Sequence, residues 1–170
     1  LYKNKLCFDH TEKQWMIFKE HYWKKQEIIL RYFLELAMNH DLPVNLHGKS
    51  AEKELFRVLS QYDIKNVVVH WFTGSPELIK IGINYGYFFS VTPAVFYSKK
   101  MQKVVELTPV EQLLSESDGP VKYKGQPTFI GKPALMKDVV QKIAQIKQQN
   151  HKEIERILYN TARKIFLGKN

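Results

Sequence analysis

Asn66-Val67-Val68-Val69-His70 is the stretch on which the fold turns. Its three consecutive valines leave no polar face, and continuous apolarity of this kind suits a parallel strand buried on both sides. Upstream, residues 44–47 read as a strand that follows the helix-breaking Asp41-Leu42-Pro43. Between the two, residues 50–62 read as a helix, with Ser50 as N-cap and Leu55, Val58 and Leu59 as its buried stripe. Downstream, Ser75-Pro76-Glu77 opens another helix, with Ser75 as N-cap and Pro76 at the first helical position. A strand over 87–91, a helix over 98–106 and a strand over 112–116 follow.

The flanks extend the pattern. Residues 5–8 read as a short strand, then a long helix over 12–39 with room for a break inside. Thr11 serves as its N-cap, and Phe18, Tyr22, Ile29, Phe33, Leu36 and Ala37 recur on one face. A loop rich in Gly, Pro and Lys is expected over 119–132, and two helices, 133–147 and 151–166, close the chain. Short apolar strands alternating with amphipathic helices imply parallel β/α units, about five strands in one α/β domain spanning residues 1–170. A doubly wound sheet also fits this count, but the Gly-rich nucleotide turn after a first strand is absent.

Composition narrows the classes of function. No run of about 18 apolar residues occurs, so no membrane-spanning helix is expected. Nothing at the start reads as a signal peptide, and Cys7 is the only cysteine, so a disulfide-stapled secreted design is excluded. A cytoplasmic setting is the expectation, with Cys7 as a small buried hydrophobe. The net charge of +9 suggests an anionic partner, nucleic acid first. Lys24, Lys25, Lys137, Lys142 and Lys147 lie on expected helix faces, however, where charge equally serves to solvate the surface.

Three strands run into a metal-ligand residue type: His47, His70, and Asp118 after Leu113-Leu114-Ser115-Glu116-Ser117. In a (β/α) barrel the C-terminal strand ends converge on one mouth, which favours that architecture over an open sheet. Two imidazoles and a carboxylate suit a borderline divalent cation, and such a cation lowers the pKa of a bound water to about 7. A histidine at a strand end also has a plain reading as a hydrogen-bonded polar residue, and the residues alone leave both open. His10, His21 and His40 lie in or beside the long helix, and His151 starts the last one, as an expected exposed residue. Trp15, Phe18, Tyr22 and Trp23 offer base-stacking surface, with core packing the simpler expectation.

Taken together, the motifs resemble the TatD-type metal-dependent deoxyribonucleases. Leu42-Pro43-Val44-Asn45-Leu46-His47 is similar to their "PV-hydrophobic-IHSR" segment, and His70-Trp71-Phe72-Thr73-Gly74-Ser75 to "HCFSGS". Leu113 to Pro120 is similar to "LLETDSP", and Thr161-Ala162-Arg163-Lys164-Ile165-Phe166 to the closing "NARRLF" helix. The resemblance runs from about Asp9 to the end. It implies an amidohydrolase-like TIM barrel, here incomplete, that cleaves DNA with a divalent metal (zinc, manganese or magnesium). His47 and His70 would be metal ligands, and Asp118 a ligand that also takes the proton of the attacking water. Glu116 would support them from behind. Lys49, in place of the usual arginine, together with Lys122 and Lys124, would hold the nucleic-acid backbone.

The departures from the family pattern are specific. There is no counterpart of the His-x-His pair on the family's first strand, and Lys5 stands where its bridging glutamate is expected. The asparagine-glutamate-proline turn reads Gly131-Lys132-Pro133, and Thr161 replaces the closing-helix asparagine. The resemblance therefore implies at most a mononuclear site, on a barrel whose first strands are missing from this sequence. The chain begins at Leu1, so a fragment is expected, with an N-terminal segment or a protein partner completing the barrel. Two other functions stay in play: a catalytically impaired relative that binds nucleic acid or protein, and a hydrolase of small esters or amides.

Overall fold

The computed structural model describes the backbone of residues 12–168 and the side chains of residues 21–168. The expected strand over 5–8, the Thr11 cap, Cys7, His10 and the side chains of Trp15 and Phe18 lie outside the described residues.

Helix α1 (Glu12–Asn39) runs unbroken, so the expected interruption is not there. It stops where Asp41 takes a positive φ of 51° and Leu42 N–H closes on the Ala37 carbonyl at 2.8 Å. Strand β1 (Val44–His47) follows, then α2 (Glu52–Leu59), β2 (Val67–His70), α3 (Pro76–Asn84) and β3 (Phe88–Val91). A 3-10 turn (Pro93–Phe96) leads to α4 (Lys99–Leu107) and β4 (Leu113–Ser115). After a short hairpin of β5 (Lys122–Tyr123) and β6 (Phe129–Ile130), α5 (Met136–Lys147) and α6 (His151–Leu167) complete the order.

The caps follow the sequence with one exception. Ser75 and Ser98 accept from the backbone N–H groups of Leu78 and Met101, as their hydroxyls should at an N-cap. Ser50 does not cap α2: it sits at φ +58° in the turn, and Ala51 begins the helix without a side-chain bond. The chain must reverse sharply after β1, and that reversal places Ser50 a residue too early.

Four strands pair in parallel, in the order β1-β2-β3-β4. Alternation along each strand divides its side chains between two faces. Val67, Val69, Phe89, Val91 and Leu113 enter the main core with Leu34, Leu55, Leu59, Val104, Val139, Ile143 and Ile154. Val68 and Leu114 point to the opposite face, where Ile165 near the end of α6 meets them. The two burial environments explain why Val67, Val68 and Val69 are all apolar.

Two expectations change. The segment 119–132 is not a plain loop: the hairpin β5–β6 forms in it, with Tyr123 and Phe129 stacked 5.5 Å apart. On α1, the residues that go under are Leu34 and Ala37, while Tyr22, Ile29, Phe33 and Leu36 stay exposed. Helical spacing marks a stripe but not its partner. Ile29, Phe33 and Leu36 face an open groove along the edge of β1, lined also by Leu42, Pro43 and Val44. Tyr22 is therefore no core residue.

Two basic groups also depart from the surface role expected of them. Lys147 is half-buried and donates to the carbonyls of Thr108 (2.6 Å) and Glu106 (3.1 Å), closing the C-terminal end of α4. Burial pulls its ammonium below the ordinary lysine pKa. His151 is half-buried rather than exposed, with a buried Nδ1 that makes no hydrogen bond.

Candidate metal centre

His47 ends β1 and His70 ends β2, and the parallel register sets them directly opposite one another. By alternation, His70 shares the face of Val68, away from the main core. The two rings lie 5.0 Å apart, tilted by 44°. Asp118 stands just beyond β4 at a φ of 41°, a left-handed conformation that aspartate tolerates better than most residues. Its Oδ2 faces His70 Nε2 at 3.7 Å.

A second carboxylate holds His70 from behind. Glu116 Oε2 lies 2.7 Å from His70 Nδ1. Its other oxygen, Oε1, accepts from the Ser90 hydroxyl at 2.5 Å, and Ser90 Oγ accepts in turn from the Trp71 backbone N–H at 3.2 Å. Three strand ends are thereby tied around one imidazole. With Nδ1 committed to Glu116, Nε2 is the nitrogen turned to Asp118.

The two histidines are driven apart electrostatically. Burial first, and the neighbouring His70 second, hold His47 below the usual imidazole pKa. Burial also penalises a charged His70, but the hydrogen bond and charge of Glu116, with the charge of Asp118, outweigh it and raise this pKa. Tyr123, buried beside the site, has its phenol pushed up by burial and by Asp118.

His47, His70 and Asp118 line one cavity of about 740 Å³, together with Lys49, Trp71, Thr73, Val121 and Lys122. Lys49 and Lys122 are exposed at its edge; Lys124 is exposed elsewhere and does not line it. Imidazole nitrogen beside carboxylate oxygen is the donor chemistry of a divalent cation. Two donors at about 2.1 Å from a tetrahedral ion stand about 3.4 Å apart, close to the 3.7 Å between His70 and Asp118. Among the described residues, however, no three His, Cys, Asp or Glu side chains form a group able to hold a metal ion. The geometry is that of a facing pair with a second imidazole alongside, not a closed cage.

Two participants escape a reading of the sequence. Ser90 has a visible signal, a single polar residue inside the apolar Phe88–Val91 strand. Trp71 has none beyond its place next to His70. It adopts φ +44°, where a bulky side chain is strained, and strain of this kind gathers at functional sites.

The family model of the TatD related DNases matches residues 9–167, and the chain belongs to that family. It is 28% identical over 143 residues to the human deoxyribonuclease TATDN3, covering 84% of this chain and 52% of that protein. It is 29% identical over 151 residues to a metal-dependent hydrolase of Methanocaldococcus jannaschii, covering 89% of this chain and 59% of the relative. The chain thus spans about half the length of the curated relatives it matches. Among solved structures, the TatD homologue YjjV of Escherichia coli superposes with a TM-score of 0.75 at 27% identity, over 84% of this chain and 57% of that one. An amidohydrolase of Saccharomyces cerevisiae shares the fold, with a TM-score of 0.73 at 17% identity, over 84% and 60% of the two chains. The four parallel strands and their helices therefore have the α/β fold of the TatD-type barrel over the part that they match. Among the described residues no helix is long and apolar enough to cross a membrane.

Proposed function

We propose that this chain carries the site of a metal-dependent phosphodiester hydrolase acting on DNA in the cytoplasm. The observation that supports this most is the His70–Asp118 pair, 3.7 Å apart, with His47 beside it in a cavity flanked by Lys49 and Lys122. Its relatives carry the names deoxyribonuclease and metal-dependent hydrolase. The facing pair His70 and Asp118 would supply the first donors to the cation, with His47 alongside as the third once it closes on the ion. The cation when bound supplies Lewis acidity toward water and phosphoryl oxygen. Asp118 takes the proton of the attacking water. Glu116 fixes the tautomer and direction of His70. Lys49 and Lys122 attract the phosphate as point charges, and Lys124 serves a more distant part of the strand.

Elemental analysis of the purified protein, and a nuclease assay with added manganese or magnesium, test this reading. The wild type should cleave single-stranded DNA only with metal, and His70→Ala should not. Equal activity in both would remove it.

One observation supports a second reading, a relative that binds nucleic acid without cleaving it: the absence, among the described residues, of a three-donor metal group. Salt-dependent DNA binding with neither a metal requirement nor cleavage would select it.

A further inference from the structure

We propose that Trp71 is a stacking platform for a nucleobase, so that the cavity selects a base-bearing strand over a bare sugar-phosphate backbone. This rests on the reading of the cavity as a phosphodiester site and names what recognises the rest of the substrate.

The indole is half-buried and lines the cavity beside His70, Asp118, Lys49 and Lys122. It is braced from behind by rings. Tyr123 lies 5.5 Å from it, tilted 30°, and Tyr123 is stacked in turn on Phe129 at 5.5 Å and 20°. Tyr123 is 1% exposed and its hydroxyl donates to the Ser117 carbonyl, so the backing does not move easily. The imidazole of His70 meets the indole edge-on at 6.3 Å.

Backbone conformation argues against a mere filler. At φ +44° glycine or asparagine would be the easy residues, yet the largest aromatic side chain stands there, next in sequence to His70. Its backbone N–H is bound to Ser90, which also holds Glu116, so the main chain that carries the ring and the imidazole of His70 belong to one network, while Tyr123 backs the ring itself. A ring fixed in advance loses little freedom when a ligand docks. Every nucleobase has a π-face to lay on it, and two lysines at the cavity edge suit the adjoining phosphates. Specificity for bases without sequence preference is the result.

The test uses two fluorescein-labelled strands of equal length and charge. One is a single-stranded oligodeoxynucleotide, and the other has a tetrahydrofuran in place of every nucleoside. Anisotropy titrations of both at one salt concentration, without added metal, give an affinity ratio from which the phosphate contribution cancels. Base stacking on one aromatic residue corresponds to a preference of about 5- to 150-fold. The wild type should prefer the base-bearing strand by about tenfold or more. Trp71→Phe should keep most of that ratio, and Trp71→Leu, which fills the space without a π-face, should bring it close to one. A wild-type ratio near one, or a ratio unchanged in Trp71→Leu, overturns the proposal. If Trp71→Leu does not fold, a chain with Trp15 and Trp23 replaced by Phe provides a second readout. Its indole fluorescence should be quenched by the base-bearing strand and not by the base-free one, and equal or absent quenching overturns the proposal. Cleavage of both strands with manganese reports separately on the hydrolase reading, because failure there leaves the binding ratio intact as the judge of Trp71.

Discussion

Glu116 binds His70 through one carboxylate oxygen, 2.7 Å from Nδ1, and Ser90 through the other. A partner that fixes a metal-ligating imidazole in this way commonly contributes 10- to 100-fold to metal affinity. Glu116→Gln keeps the shape and removes the charge. Calorimetric titration with zinc or manganese should show affinity lower by about 10- to 100-fold. Unchanged affinity would mean that His70 is not a ligand or is held by something else.

Ser90 is 3% exposed and links Trp71 to Glu116. Ser90→Ala leaves a backbone N–H and a carboxylate oxygen short of a partner. Urea denaturation should register a loss of about 1–3 kcal/mol, whereas Ser90→Thr, which retains the hydroxyl, should recover part of it.

The raised pKa of His70 makes stability depend on pH, with a definite sign. A base whose folded value lies above its unfolded one contributes stability that is fully present below the unfolded value, about 6.5. That contribution is lost as pH rises through the folded value. In the presence of a chelator, the stability gap between wild type and His70→Gln should be wider at about pH 5.5 than at about pH 8. A gap that grows with pH would reverse the assignment.

Gly131 is packed behind the Asp118 turn. A Cβ there would run into the Ser117 carbonyl oxygen and come within 2.9 Å of the Tyr123 ring. Gly131→Ala should therefore cost about 1–3 kcal/mol by overpacking. It should also lower metal-dependent cleavage, because the backbone that must give way carries Asp118. Activity retained alongside the stability loss would show that the turn yields elsewhere.

Lys49 and Lys122 border the cavity and Lys124 does not. Replacing either of the first two by Gln should weaken binding of single-stranded DNA. The slope of log affinity against log salt should fall by about 0.7 for each phosphate that is no longer neutralised. Lys124→Gln should change it less. Equal effects at all three positions would indicate general charge attraction rather than binding at this cavity.

The sequence is most readable where local chemistry and tertiary fate agree. Val67 to Val69 announce a strand buried on both sides, and the Ser75-Pro76 pair fixes the start of α3. His47 and His70 can be placed together because each ends a short strand, and parallel pairing brings such ends level. What stays hidden depends on partners far along the chain. Ser90 finds Glu116 across 26 residues, and nothing local says which group its hydroxyl will meet. The exposed stripe of α1 misleads because Ile29, Phe33 and Leu36 obey helical spacing while lining an open groove. The 5–8 strand and Lys5 lie outside the described residues.

A single peptide bond joins His70 to Trp71, and both answer to the serine on the adjacent strand. On the proposed reading, cation binding by His70 and base stacking on Trp71 are consequently coupled through that serine. A substitution at Ser90 should therefore reach both the carboxylate behind His70 and the main chain of Trp71. Engineering this pocket toward a different substrate should therefore begin at Phe129, one ring behind Tyr123, rather than at Tyr123, whose hydroxyl is bound to the carbonyl next to Asp118.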